Sequence, residues 1–302
     1  MKMAVGTVAE DGAILVLGDF SQDSRLIEGL DDHGQLSESS IEDCIRLVES
    51  YRRMLKGMGG VEEVRAVATS ALRRAVNSEA LCRRIEQRTG VIVSILPSDE
   101  EAAYVYASSH DLAIPHAGGK VLIAYVGAAS TKFAVGSPDG LIDVHSVPLG
   151  AALVAKRFFA AEPVSPEQFI KACEFLDEKL DLSKVSDLLD GSAFSLVACG
   201  STASGLCVLE EGLLEPNRNL THAKQIPFDA LFEWFEHLVH VPPEEMNEVP
   251  MLAGFRGRVF LGGLSLWLFI MEKLGIASLI VSENGVRHGL LREVLGLERK
   301  LE

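Results

Sequence analysis

The chain runs the same pattern of elements twice, and that repetition limits its fold more than any other feature. The first pass opens on two apolar runs, residues 4–9 and 13–20, joined by Glu10-Asp11-Gly12, which reads as a β-hairpin. Ser37-Glu38-Ser39-Ser40 then starts a helix with capping chemistry. Ile41, Cys44, Ile45, Val48 and Tyr51 recur at helical spacing along it until Gly59-Gly60. A strand at 64–68, a helix at 78–88 stopped by Gly90, a strand at 91–96 and a helix at 98–109 follow. Ile114-Pro115-His116-Ala117-Gly118-Gly119 breaks the pattern. The second pass begins with three short strands, 121–126, 132–135 and 142–147, the last two split by a Pro138-Asp139-Gly140 turn. Helices at 151–160 and 167–179, a strand at 195–199, and helices at 202–209, 228–238 and 261–274 come next. A strand at 278–281 and a helix at 285–297 close the chain.

Strands separated by helices imply a sheet with parallel strands, hence an α/β fold. Two halves that each open antiparallel and continue as helix–strand alternation point to a duplicated ribonuclease-H-like fold with a cleft between two domains. The break places these domains at residues 1–117 and 118–302, with the last helix able to pack back on the first.

Apolar residues make up 48% of the sequence and aromatics 6%, so the core is expected to be aliphatic. The 43 acidic and 28 basic residues give a net charge of −15, which repels nucleic acid, and long polyphosphate too unless a basic patch intervenes. A nucleic-acid partner is therefore not expected. Five cysteines, none spaced C-x-x-C, fit reduced thiols in the cytoplasm. The N-terminus lacks the pattern of a signal peptide. The most apolar stretch, 259–271, is too short for a membrane span and reads as a buried helix.

Six stretches carry a more specific message. They are Arg25-Leu26-Ile27-Glu28-Gly29-Leu30 with Gln35-Leu36-Ser37-Glu38; Ala66-Val67-Ala68-Thr69-Ser70-Ala71-Leu72-Arg73; Ser98-Asp99-Glu100-Glu101-Ala102; Gly127-Ala128-Ala129-Ser130-Thr131; Val147-Pro148-Leu149-Gly150-Ala151; and residues 281–291, Val-Ser-Glu-Asn-Gly-Val-Arg-His-Gly-Leu-Leu. In this order and spacing the chain resembles the exopolyphosphatase/guanosine-pentaphosphate phosphatase (Ppx/GppA) family, of the actin-like ATPase superfamily. The resemblance implies two actin-like domains and a phosphohydrolase that removes terminal phosphate from polyphosphate or guanosine pentaphosphate with Mg²⁺ in an interdomain cleft. It also implies a homodimer. Glu101 matches the catalytic glutamate and Arg73 a phosphate-contacting arginine. From the residues alone, Glu101 also reads as a first-turn helix acid and Arg73 as a surface arginine.

The departures matter as much. The family's second phosphate loop, Asp-Ile-Gly-Gly-Gly-Ser-Thr-Glu, stands here as Tyr125-Val126-Gly127-Ala128-Ala129-Ser130-Thr131-Lys132. Tyr125 takes the place of a metal-holding acid, and a neutral phenol is a poor ligand for Mg²⁺. Ala128 and Ala129 predict strain if the turn needs φ > 0. Gly127, Ser130, Thr131 and Lys132 remain able to hold an anion. The first phosphate loop aligns upstream of Met1, so either the start lies further upstream or residues 3–8 serve as a rebuilt first strand. Ala198-Cys199-Gly200-Ser201-Thr202 resembles a third phosphate turn, with Gly200 and Thr202 as candidates; an ordinary N-cap at Ser201 is the other reading. Arg256-Gly257-Arg258 replaces Arg-Ala-Asp, a further acid lost. Arg287 and His288 read as a cationic helix face, and His237 with His240 as cations near a helix C-terminus rather than metal ligands.

Three functions follow: an active phosphohydrolase, an impaired member that still binds phosphate or nucleotide, or an interaction protein retaining only the fold. The lost acids favour the second.

Overall fold

The computed structural model of the chain describes residues 1–297 apart from 23, 25, 28, 114–118, 161–163, 247, 250, 251 and 254. Two units form, one from Met1–Tyr104 with Val286–Glu302, the other from Val105–Gly285. The break at 114–118, on which the sequence places its domain boundary, lies outside the described residues, as do Arg25 and Glu28 of the first motif.

In the first unit β1 (Lys2–Val8) and β2 (Ile14–Ser21) pair antiparallel. Their turn closes because Gly12 adopts φ +83° and the Asp11 carboxylate accepts the Ala13 N–H at 2.9 Å. α1 (Glu38–Gly57) starts at Ser37, whose hydroxyl accepts the Ser40 N–H, and buries Ile41, Cys44, Ile45 and Tyr51. β3 (Ala66–Ala68) leads through α2 (Ser70–Arg74) and α3 (Ser78–Thr89) to β4 (Val93–Ile95), which lies parallel to β3. α3 stops at Gly90, left-handed at φ +70°. α4 (Ser98–Ser109) follows. Asn77 pins the Gln35-Leu36-Ser37 segment by accepting from the Leu36 N–H and donating to its carbonyl, both at 3.0 Å. β1–β2 and β3–β4 are separate two-stranded ladders among the described residues. Such ladders are marginal alone; here Ala66, Ala68, Val93 and Ile95 pack on a core of Ile45, Leu72, Leu81 and Ile85.

The second unit is built on one mixed sheet. β5 (Lys120–Val126), β6 (Thr131–Ser137) and β7 (Gly140–Val147) form an antiparallel meander. α5 (Ala151–Phe158), α6 (Pro166–Lys179) and α7 (Ser183–Leu189) lead to β8 (Phe194–Cys199), and α8 (Ser201–Glu210) follows. Next come α9 (Arg218–Thr221), β9 (Gln225–Pro227), α10 (Phe228–Leu238), α11 (Pro243–Met246), α12 (Phe255–Lys273) and β10 (Ser278–Ser282). The strand order is β7-β6-β5-β8-β10-β9, with β5, β8 and β10 parallel. Val121, Leu122, Ile123 and Ala124 are all buried, as a central strand covered on both faces requires. One face joins the main core with Leu122, Ala124, Val126, Phe133 and Trp267, the last 0% exposed. The apolar stretch at 259–271 is the interior of α12, and among the described residues no helix is long and apolar enough to cross a membrane. α12 lies close on α5 because Gly262 has no side chain; a Cβ there would stand 2.2 Å from the Ala151 carbonyl oxygen.

Both sheet edges carry features that discourage a further strand. On β7, Val144 gives its N–H to the Asp143 carboxylate at 2.7 Å, and its carbonyl accepts from Lys184 Nζ at 3.0 Å. Lys184 also pairs with Asp143 at 3.0 Å. The opposite edge, β9, is three residues long and ends in Pro227.

α13 (Val286–Val294) returns to the first unit, where a Cβ at Gly6 would come within 2.8 Å of the Leu291 side chain. Arg287 and His288, read from sequence as a cationic face, are instead a clamp on Asp19 of β2. Arg287 Nε and Nη2 lie 2.6 and 2.8 Å from its two oxygens, and His288 Nε2 lies 3.2 Å away. His288 is 5% exposed. Burial alone would raise the Asp19 pKa, but hydrogen bonds and charge from His288 and Arg287 outweigh it and hold the carboxyl well below the ordinary range. A depressed folded pKa gives stability that is complete above the unfolded value, near 4, and is lost as pH falls below it. The urea midpoint should therefore drop between about pH 4 and pH 3, and Asp19→Asn should flatten that dependence; an unchanged profile in the variant would show that the clamp contributes nothing.

Candidate functional site

Within the first unit the structure brings Arg73 and Glu101 together. The Thr69-Ser70-Ala71-Leu72-Arg73 stretch turns from β3 into α2, and Glu101 lies in the first turn of α4, its N–H bonded to the Pro97 carbonyl at 3.1 Å. Arg73 Nη2 donates to Glu101 Oε2 at 2.8 Å and Nη1 to the Leu96 carbonyl at 2.7 Å. Glu101 is 3% exposed. Neither is the solvated surface charge that sequence alone also allows. The guanidinium is aimed at the carboxylate, which fixes both groups in one geometry.

Within the second unit the loop after β5 is shaped by α5. Gly127 N–H reaches the Ser130 carbonyl at 3.0 Å, and the carbonyls of Gly127 and Ala128 accept the N–H groups of Ala151 and Ala152, each at 2.9 Å. The loop thus satisfies the first donors of the helix. Gly150 makes that approach possible, since a Cβ would stand 2.5 Å from the carbonyl oxygens of Gly127 and Ala128. The strain expected at Ala128 and Ala129 is absent: neither has positive φ, because carbonyl caps need no left-handed residue.

Two threonines of the phosphate motifs lie buried in the fold. Thr131 Oγ1 donates to the Leu149 carbonyl at 2.7 Å. Thr202 is packed on α12, where a Cβ at Gly263 would stand 2.1 Å from its Oγ1. The third turn is capped by Gly200 rather than Ser201. Gly200 has φ +118° and ψ 164°, and a Cβ there would meet the Val126 carbonyl oxygen at 2.5 Å. His237 rests edge-on against Trp234 at 5.9 Å.

The sheet register discloses what the sequence leaves scattered. Tyr125 lies directly opposite Lys132, Lys132 opposite Ser146, Tyr125 opposite Cys199, and Cys199 opposite Ser282. Register partners share a face, so Ser146, Lys132, Tyr125, Cys199 and Ser282 form one row across five strands. It runs on the face away from the main aliphatic core, at the C-terminal ends of the three parallel strands, where open α/β sheets bind ligands. Lys132 is only 2% exposed; its Nζ donates to Ser130 Oγ at 2.6 Å and sits 5.4 Å from the Tyr125 ring centroid. Further along, Ser109 Oγ is 2.8 Å from Ser282 Oγ and accepts the Cys199 thiol at 3.7 Å. Asn284, held by Arg218 at 2.7 Å, bonds the Ser108 carbonyl and fixes the loop after β10. Ser109, Ser146, Cys199 and Ser282 escape sequence reasoning. The available signal was a polar residue at the end of each apolar run: Tyr125, Cys199 and Ser282.

This row does not suit Mg²⁺. A hard divalent cation is held by carboxylates, carbonyls and water, whereas the row and Ser130 offer hydroxyls, a thiol, a phenol and the Lys132 ammonium. The ammonium would repel a divalent ion placed beside it.

Comparison with known proteins places this geometry. The chain is 26% identical over 293 residues to a guanosine-5'-triphosphate,3'-diphosphate pyrophosphatase of Vibrio vulnificus, covering 94% of this chain and 55% of that protein. A protein of the same name from Pseudoalteromonas atlantica is 25% identical over 285 residues, covering 94% and 54%. The chain thus spans about half the length of the curated relatives it matches. Among solved structures, the Aquifex aeolicus Ppx/GppA family member superposes with a TM-score of 0.82 at 26% identity, over 99% of each chain. The Cytophaga hutchinsonii exopolyphosphatase shares the fold, with a TM-score of 0.85 at 17% identity over 98% of this chain and 94% of that one. The profile of the Ppx/GppA phosphatase family matches residues 7–298, and the chain belongs to that family.

Proposed function

We propose that this chain binds the terminal phosphates of linear polyphosphate or guanosine pentaphosphate and hydrolyses them slowly or not at all. Family membership supports the ligand class, and the curated relatives' name supports the nucleotide form. The observation that carries the impairment is the Tyr125–Lys132 pair. Phosphoryl transfer to water needs a metal or a base beside the phosphate, and this pair sets a phenol and an ammonium facing each other across β5 and β6. A protonated lysine takes no proton from water. Loss of such a group costs ~10²–10⁴-fold in rate. The same reading carries a cytoplasmic homodimer, which light scattering of the purified protein checks for its assembly.

One observation favours an active enzyme instead: Glu101 is a buried carboxylate held in a fixed position by Arg73. Phosphate release from tripolyphosphate and guanosine pentaphosphate, with Mg²⁺ present, decides between the two. We expect release at or near the uncatalysed background, unaltered in Glu101→Gln. Multiple turnovers in the wild type that Glu101→Gln removes would overturn the impaired reading.

A further inference from the structure

We infer that the chain selects short oligophosphates, and that long-chain polyphosphate is disfavoured by the charge of the surface it would have to cross. The inference rests on the proposed phosphate binding and adds the size of the ligand. Each unit is acidic by itself: Val105–Gly285 holds 12 Lys and Arg against 22 Asp and Glu, and the first unit holds 16 against 21. On such a surface each further phosphate adds repulsion unless a local track of cations carries the chain, as one carries a nucleic acid. The cations of the second unit are engaged elsewhere. Lys120, Lys171, Lys179, Lys184, Lys224 and Lys273 each meet a carboxylate. Arg157 lies over the Phe158 and Phe175 rings, Arg218 donates to the Asn284 side chain, and Arg258 donates to the Ala160 carbonyl. Lys132 is buried and bonded to Ser130. An exposed ion pair is weak, but a phosphate that takes the lysine leaves the carboxylate tethered beside it, so the exchange gains little. In the first unit Arg84 and Arg88 are laced to Glu38, Glu42 and Glu49, Arg73 to Glu101, and Arg287 to Asp19. Arg52, Arg53 and Lys56, in the last two turns of α1, make no ion pair among the described residues. Cations are ordinary at a helix C-terminus, and this group supplies the control.

The experiment is calorimetric titration of the full chain with tripolyphosphate, guanosine pentaphosphate and long-chain polyphosphate, each counted by chain ends, at a fixed millimolar Mg²⁺ concentration. It is run in about 0.1 M and about 1 M KCl, where the screening length falls from about 10 to about 3 Å. At the lower salt, long-chain polyphosphate should bind about three- to tenfold more weakly per chain end than tripolyphosphate, the scale of a few screened like charges. At the higher salt the two should agree within about twofold, because repulsion from the surface is screened while the bound end is the same. Arg53→Gln/Lys56→Gln should leave the tripolyphosphate affinity and this ratio unchanged within about twofold. Long-chain polyphosphate that binds as tightly as tripolyphosphate at the lower salt, or more tightly, overturns the inference and leaves the proposed function standing. Loss of that advantage in the double variant would place the cationic track on α1. A deficit that salt does not shrink also overturns the inference, since its cause would not be charge. Binding of guanosine pentaphosphate alone overturns it too and confines the function to the nucleotide. Binding of none of the three overturns the proposed function itself.

Discussion

Gly200→Ala is expected to destabilise the second unit by about 2–6 kcal/mol and to abolish tripolyphosphate binding. Two costs add at this position. The backbone at φ +118° and ψ 164° lies in a region that only glycine enters freely, worth about 1–3 kcal/mol for any other residue. The new methyl would also stand 2.5 Å from the Val126 carbonyl oxygen, and relieving such overpacking costs a further ~1–3 kcal/mol. The strand cannot yield without moving Gly127 and the loop that caps α5. Gly212→Ala is the matched control: φ is +61°, nothing lies within 4 Å of the added atom, and the loss should be about 1 kcal/mol. Urea denaturation of both variants separates the terms. Equal midpoints would mean that the close approach to β5 contributes nothing.

Glu101→Ala should destabilise the first unit by about 2–4 kcal/mol. Breaking a buried pair from one side strands the other charge, at about 3–5 kcal/mol when burial is complete. The Arg73 side chain is 23% exposed, so water recovers part of that. The stranded guanidinium would keep its bond to the Leu96 carbonyl at 2.7 Å. Glu101→Gln preserves shape and an acceptor, and should cost less than half as much. The double variant Arg73→Met/Glu101→Met should recover most of the loss, because it removes both charges together. A double variant as unstable as Glu101→Ala would show that the two residues act independently.

Much of this architecture is legible in the sequence, because long amphipathic or aliphatic runs with clear stops leave little choice. α1 follows from Ser37, its apolar spacing and the glycines after it; α10 spans the predicted 228–238. The mixed α/β sheet was likewise expected, with the antiparallel meander first. The missed elements are short or begin in polar sequence. α2 is five residues, α9 and α11 four each, β9 three, and α7 seven. α12 starts six residues before the predicted helix, at a point where Arg256-Gly257-Arg258 masks the periodicity. The candidate site was legible residue by residue and not as a constellation. Lys132 and Tyr125 each stand out as a replaced acid, but their pairing depends on register, which a turn and a loop fix jointly. Thr131 adds a contact that no motif shows: its hydroxyl donates to the carbonyl of Leu149, 18 residues away.

The Lys184–Asp143–Val144 arrangement has a consequence for self-association. A sheet edge recruits foreign strands through the one residue in each pair whose N–H and C=O point outward. At Val144 both groups are taken by side chains, and at the far edge Pro227 has no N–H to give. Both features disfavour fusing the six-stranded sheets of two copies into one ladder. Neutralising Lys184, as in Lys184→Ala, would uncap the Val144 carbonyl and weaken that guard.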